Sequence, residues 1–291
     1  VAGDWLTFRP VAGVRTTGWS DGLNGQGAAT KVIGQAGFDV EGLFTGSWSV
    51  DAPNWGINGL RHSARPLFQY RVMPGADREV GVVPMTQRAV SVSVLEELDL
   101  ADRLDAASTT DRQSMRFGIR NTLETRDALK GSRELLRADL FTDWRQGPTD
   151  AETGRTDLLG SLSVSPATWL TLNSSVRMPN GGGAARESLQ TIALNSGDFW
   201  RTSLSWVELR QATNARQLVW DGRVRLNSVY SLVSGLNYDA QLDQATLLWA
   251  GLIQRVGNSW EVEYGVNKRM DPLNRGISSL GFHLRVRLFK F

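Results

Sequence analysis

The chain has 291 residues, room for one large all-β domain or two ordinary ones, and sets 32 basic against 30 acidic side chains for a net charge of +2. That balance excludes a general nucleic-acid binder, which shows a basic excess in one region. With no cysteine and only two histidines, His62 and His283, the chain has neither disulfides nor thiolate sites nor a His-rich metal centre.

No stretch approaches the roughly 18–20 consecutive apolar residues of a membrane helix, and no basic-then-apolar leader opens the chain. Val1 precedes the first strand-like run by only four residues, which reads as a mature protein or a piece of a longer one. What recurs instead is a period of two, in which successive side chains point to opposite faces of a ribbon. Strands are expected at 4–18, 29–50 and 61–72. The stretch 73–112 then breaks the rhythm. It is acidic and helix-prone around Leu95–Leu104, and is expected as a long external loop or a plug folded into the lumen.

From there the alternation is clean. In 113–126, Met115, Phe117, Ile119 and Leu123 interleave with Arg116, Gly118, Arg120, Thr122 and Glu124. In 133–146, Leu136, Ala138, Leu140 and Trp144 interleave with Arg137, Asp139 and Asp143. Strands follow at 155–166, 168–178, 185–195 and 198–209. In 215–227, Leu218, Trp220, Val224 and Leu226 oppose Gln217, Asp221, Arg223 and Arg225. After 228–239 and 241–256, the run 258–269 sets Trp260, Val262, Tyr264 and Val266 against Glu261, Glu263 and Gly265. In 277–291, Leu280, Phe282, Leu284, Val286 and Leu288 share one face, and His283, Arg285 and Arg287 the other.

About fourteen strands of this length, often 11–16 residues against the usual 5–6, fit an antiparallel transmembrane β-barrel. A barrel satisfies its own backbone in lipid and leaves only an alternating signal. Trp19, Trp144, Trp169, Trp200, Trp260, Tyr230 and Tyr238 lie near strand ends, as interfacial girdles do. Tight turns at 165–168, 195–198, 227–228 and 256–259 alternate with longer loops, the asymmetry of periplasmic turns and external loops. A soluble β-sandwich, with the apolar face as core, is the alternative. In the barrel reading Arg116, Arg120, Arg137, Arg223, Arg225, His283, Arg285 and Arg287 line a watery interior, a substrate path for a large anionic, phosphate-bearing amphiphile whose phosphates arginine forks suit better than lysine. Cross-strand charge pairing that holds the wall is the plainer role for them. No Ser-His-Asp set forms around either histidine, and the glycine-rich 180–186 lacks the lysine of a phosphate loop. The chain is therefore expected to be a non-enzyme without cofactor or metal.

Several segments resemble the C-terminal barrel of the LptD family: "WLTFRPVAGVRTT" (5–17), "WGINGLRHSARPLFQYRVMP" (55–74), "LDLADRLD" (98–105), "RFGIRNTLETRD" (116–127) and "SWEVEYGVNKRMDPLNRGISSLGFHLRV" (259–286). The resemblance implies that 1–291 is the C-terminal portion of a larger outer-membrane barrel that inserts lipopolysaccharide into the outer leaflet. It makes Leu280, Phe282, Leu284, Val286 and Leu288 one side of a lateral gate. It implies as partners lipopolysaccharide, a plug lipoprotein of the LptE type, periplasmic bridge proteins and outer-membrane lipid. Phe291 fits the terminal aromatic read by the barrel-assembly machinery, although Phe289 and Phe291 share a face with Arg285 and Arg287. The competing reading is a passive porin or substrate channel. A third, an outer-membrane enzyme, lacks the residues it needs.

Overall fold

The computed structural model describes residues 5–20, 27–74, 98–99, 112–127, 131–147, 154–210, 214–257, 259–271 and 278–288, with Trp19 and Ala29 described in the backbone only. The chain is all-β and antiparallel, with sixteen strands among the described residues, and the long strands pair in chain order, the meander of the barrel class. No helix among the described residues is long and apolar enough to cross a membrane. Two compact units divide it: Val1–Ser161 with Arg177–Ala184, and Leu162–Val176 with Ala185–Phe291.

The first unit holds β1 (Leu6–Trp19), β2 (Ala29–Gly42), β3 (Phe44–Ala52), β4 (Ile57–Met73), β5 (Arg112–Asp127), β6 (Gly131–Gln146) and the two-residue β7 (Gly154–Arg155). β8 (Leu158–Ala167) straddles the division. One strand expected at 29–50 is in fact two. β2 and β3 lie along the same partner, β4, in one continuing register, and the break at Leu43 falls beside Pro66 of β4. Proline has no N–H to give to the ladder, so pairing stops there. The Leu43 amide instead donates to the carbonyl of Trp5 at 2.7 Å. Beyond the break, β3 and the first half of β4 form a hairpin closed by a 3-10 turn at Pro53–Trp55, with Gly56 in the left-handed region (φ 62°) that glycine enters without a Cβ penalty.

The second unit holds β9 (Leu170–Met178) through Val176, β10 (Glu187–Ser196), β11 (Trp200–Leu209), β12 (Ala215–Arg225), β13 (Tyr230–Asp239), β14 (Gln244–Val256), β15 (Trp260–Met270) and β16 (Ser278–Leu288). Short connections at 197–199, 226–229 and 257–259 gather on one edge of this unit. Trp200 and Trp260 stand exposed on that edge, with Tyr230 beside them half-buried.

The two faces of the ribbons are inverted relative to a water-soluble domain. In the first unit Phe8, Phe38, Phe68 and Phe117 form a ladder of ring contacts across β1, β2, β4 and β5, with centroids 5.1–5.9 Å apart, on the face that carries exposed Val14, Val32, Ile119, Leu140 and Trp144. The opposite face is where charge is buried: Lys31, Arg71 and Asp143. In the second unit Leu204, Trp220, Leu232, Leu248, Tyr264 and Val266 face outward, and Glu261 and Glu263 are buried. Every apolar set expected from the alternation of β5, β6, β12, β15 and β16 lies on the exposed face.

Glycines on the charged face make room for large neighbours. Phe141 of β6 packs flat against Gly118 of β5, and the His283 ring of β16 covers Gly265 of β15. An added methyl at position 118 would collide with the Phe141 ring. Gly118→Ala is therefore expected to cost about 1–3 kcal/mol, the usual penalty of overpacking. Adding Phe141→Leu should recover part of the loss. Denaturant unfolding of the two single variants and the double variant in detergent micelles measures the coupling, and simple additivity would contradict the contact.

Candidate functional site

Two groups of charged side chains occupy the polar face, one within each unit. In the first, β2 presents Gln35 and Asp39, β4 presents Gln69 and Arg71, β5 presents Ser114 and Arg116, and β6 presents Asp143 and Arg145, all at alternate positions. Arg71 is only 1% exposed. Its guanidinium lies 2.7 Å from Asp39 and 2.7 Å from Asp99, and its Nη1 also donates to the carbonyls of Phe38 and Tyr70 at 3.1 and 3.0 Å. Gln35 Nε2 donates to the same Asp99 oxygen at 2.8 Å. Leu98 and Asp99, from within 73–112, are thus fastened to the polar face, Leu98 buried and Asp99 inside an arginine's reach. Burial alone would push the Asp99 carboxyl up. The hydrogen bonds from Arg71 and Gln35, with the charges of Arg71 and Arg116, outweigh it and hold the group below the usual carboxylate range.

Directly across from Arg116 stands Asp143, 0% exposed. Arg116 grips it with two bonds, Nε to Oδ1 at 2.7 Å and Nη2 to Oδ2 at 3.0 Å, and Arg145 adds a third contact at 3.3 Å. The bidentate fork is the strong form of this interaction. Arg120 sits over the Phe141 ring at 5.4 Å, a cation–π contact. Arg137 is about half exposed and pairs with Glu134 of its own strand at 2.7 Å.

In the second unit Glu261 accepts from Arg223 at 3.5 Å and forms an ion pair with Arg255 at 3.8 Å, and Arg225 Nε donates to the turn carbonyl of Asn227 at 3.1 Å. Glu263 is the hub of the last strand pair, with His283 at 3.0 Å, Arg287 at 3.5 Å and Arg285 at 3.7 Å. Of the eight interior residues expected, Arg116, Arg120 and Arg137 therefore belong to the first unit. Arg223, Arg225, His283, Arg285 and Arg287 belong to the second. Sequence reasoning missed Arg71, Asp39, Asp99 and Arg201. Arg71 was visible in principle, because Arg61, Ser63, Arg65, Gln69 and Arg71 share one parity along β4. The other histidine, His62, pairs opposite Leu123 with its ring 6.5 Å from Trp48, on the apolar face. Phe291 and the stretch 73–112, apart from Met73, Pro74, Leu98, Asp99 and Arg112, lie outside the described residues. Among the described residues no group of His, Asp and Glu is arranged to hold a metal ion.

Leu280, Phe282, Leu284, Val286 and Leu288 all point outward, as the alternation requires. Their strand is paired with β15 at every position from Ser278 to Leu288. No family model matches the chain, and no curated protein does. Among solved structures it is similar to two mutant forms of the porin of Rhodopseudomonas blastica. One has 10% identity and TM-score 0.41, the other 11% and 0.40, each covering 98% of this chain and 100% of the porin. The LptD resemblance is thus corrected. Its segments find no counterpart among family models, and the two solved structures named above are porins. The lipopolysaccharide-translocon function falls with it.

Replacing Asp143 by Ala strips Arg116 of its fork inside a site closed to water. The expected cost is about 3–5 kcal/mol, as for other broken buried pairs, read as a lowered denaturation midpoint in micelles. A change below about 1 kcal/mol, the level of an exposed pair, would refute the burial. The depressed Asp99 carboxyl supports the fold fully above the ordinary carboxylate pKa, near 3.9, and its contribution fades as pH falls through the lower folded value. Asp99→Asn should flatten that acid limb of the stability–pH curve. An unchanged limb would deny the Asp99–Arg71 link.

Proposed function

We propose that the chain is an outer-membrane porin-type barrel that passes small hydrophilic solutes along its charged face. One observation carries this reading, the inverted surface. Phe282 is 78% and Leu280 67% exposed, whereas Arg71 and Asp143 are buried among hydrogen-bonding partners. Such an arrangement is costly in water, where a monomer rarely leaves apolar patches of more than a few hundred Å² bare. It is the favourable one in a bilayer, where the greasy side meets acyl chains and strand ladders satisfy backbone amides that have no water to turn to. Apart from the two-residue β7, the strands have 9–17 residues, enough for the roughly 9–11 that a tilted strand needs to cross the hydrocarbon. The exposed tryptophans at the short-turn edge are placed where an interfacial girdle belongs. The cation-rich face then meets water, and its paired arginines and carboxylates set the field a solute crosses. Membrane lipid is the partner this surface calls for.

The full chain, folded into detergent and added to a planar bilayer, should give step conductances that are ohmic and rise with salt concentration. A chain that stays monomeric without detergent, or inserts and conducts nothing, would overturn the reading.

A further inference from the structure

The geometry points to a second, more specific property: a recess at the short-turn edge of the second unit binds small phosphate-type oxyanions. It deepens the channel reading by naming a solute class, and rests on that reading only in supposing that passing solutes reach the recess. The recess has a volume of about 330 Å³ and is lined by Arg201, Arg223, Arg225 and Arg255, with Asp198 and Glu261 as its acids. At roughly 30 Å³ per water, that holds an oxyanion with part of its hydration.

Three observations favour an anion there. Arg201 of β11 and Arg223 of β12 are directly opposed in register. Side chains so placed have Cβ atoms about 4.5–5.5 Å apart, and like charges there repel. Next, the recess has four guanidinium groups against two carboxylates, and the Oε1 atom of Glu261 already serves both Arg223 and Arg255. Finally, Arg201 makes no side-chain hydrogen bond or ion pair with any described residue, and Arg225 gives its Nε to the Asn227 carbonyl, leaving its terminal nitrogens to face the recess. Repulsion maintained between opposed cations, with donors to spare, is relieved by an anion that bridges them. Forks reaching in from β11, β12 and β14 suit a tetrahedral oxyanion with three or more acceptor oxygens better than a planar carboxylate, which one fork satisfies.

The test uses the full chain in detergent and equilibrium dialysis with labelled inorganic phosphate in a constant chloride background, with unlabelled succinate as competitor. Phosphate should bind saturably and succinate compete poorly. Arg201→Ala should weaken binding about tenfold, the size of one lost charge-assisted hydrogen bond. Arg201→Lys should fall between, since it keeps the charge without the fork. Arg65→Ala, which removes a positive charge from the polar face of the first unit, should leave binding within about twofold, far less than the loss of one such bond. Heat-modifiable gel mobility reports whether each variant has folded. Absent saturation in the wild-type chain, or equal weakening by Arg201→Ala and Arg65→Ala, overturns the site. Phosphate binding in a chain that conducts nothing would instead sink the channel reading and leave the site standing.

Discussion

A backbone amide in hydrocarbon has no water to turn to, so each must find its partner within the chain. That requirement governs what is seen here. It forces the chain into ladders, makes neighbours in sequence neighbours in the sheet, and hands each strand two faces with opposite solvents. Side chains can then differ freely from strand to strand, provided the parity holds. It holds from β5 to β6 even where a bulge at Leu123/Glu124 shifts the register, because the extra residue is absorbed without moving the flanking apolar sets off their face.

Once the outer face is given to apolar atoms, polar groups crowd the other. Charges there are worth little singly in water but more where water is scarce. The chain answers with shared partners. Asp143 takes two arginines, Arg71 takes two aspartates and two carbonyls, and Asp99 takes an arginine and a glutamine. Asp99 is the instructive member, for it belongs to no strand. A side chain from outside the ladders completes the coordination of the most buried arginine, so Asp99 and the wall of the first unit are energetically linked.

How much of this was legible in the amino-acid sequence depended on whether the signal was local. The apolar faces of β5, β6, β12, β15 and β16 were, because each is an unbroken run of period two. The split of 29–50 was not, because its cause, Pro66, sits on another strand and acts only through register. Arg71 showed its parity but not its partners, since Asp39 and Asp99 lie 32 and 28 residues away in the chain. Arg201 was hidden by the adjacent aromatics Phe199 and Trp200, which blur the alternation at the start of β11. Family resemblance misled for a related reason. Short alternating segments with turn residues between them recur wherever ribbons line water on one side and lipid on the other. Such segments report the solvent geometry more faithfully than they report descent.

Glu263 draws together a histidine and two arginines of β16. Arrangements with one acid and three bases are lopsided under mutation. Losing any one base leaves the acid still served by the others, whereas losing the acid takes the shared partner from all three on a single strand. Drift in this gene should accordingly wander among the bases of the final strand and keep the acid on its neighbour fixed.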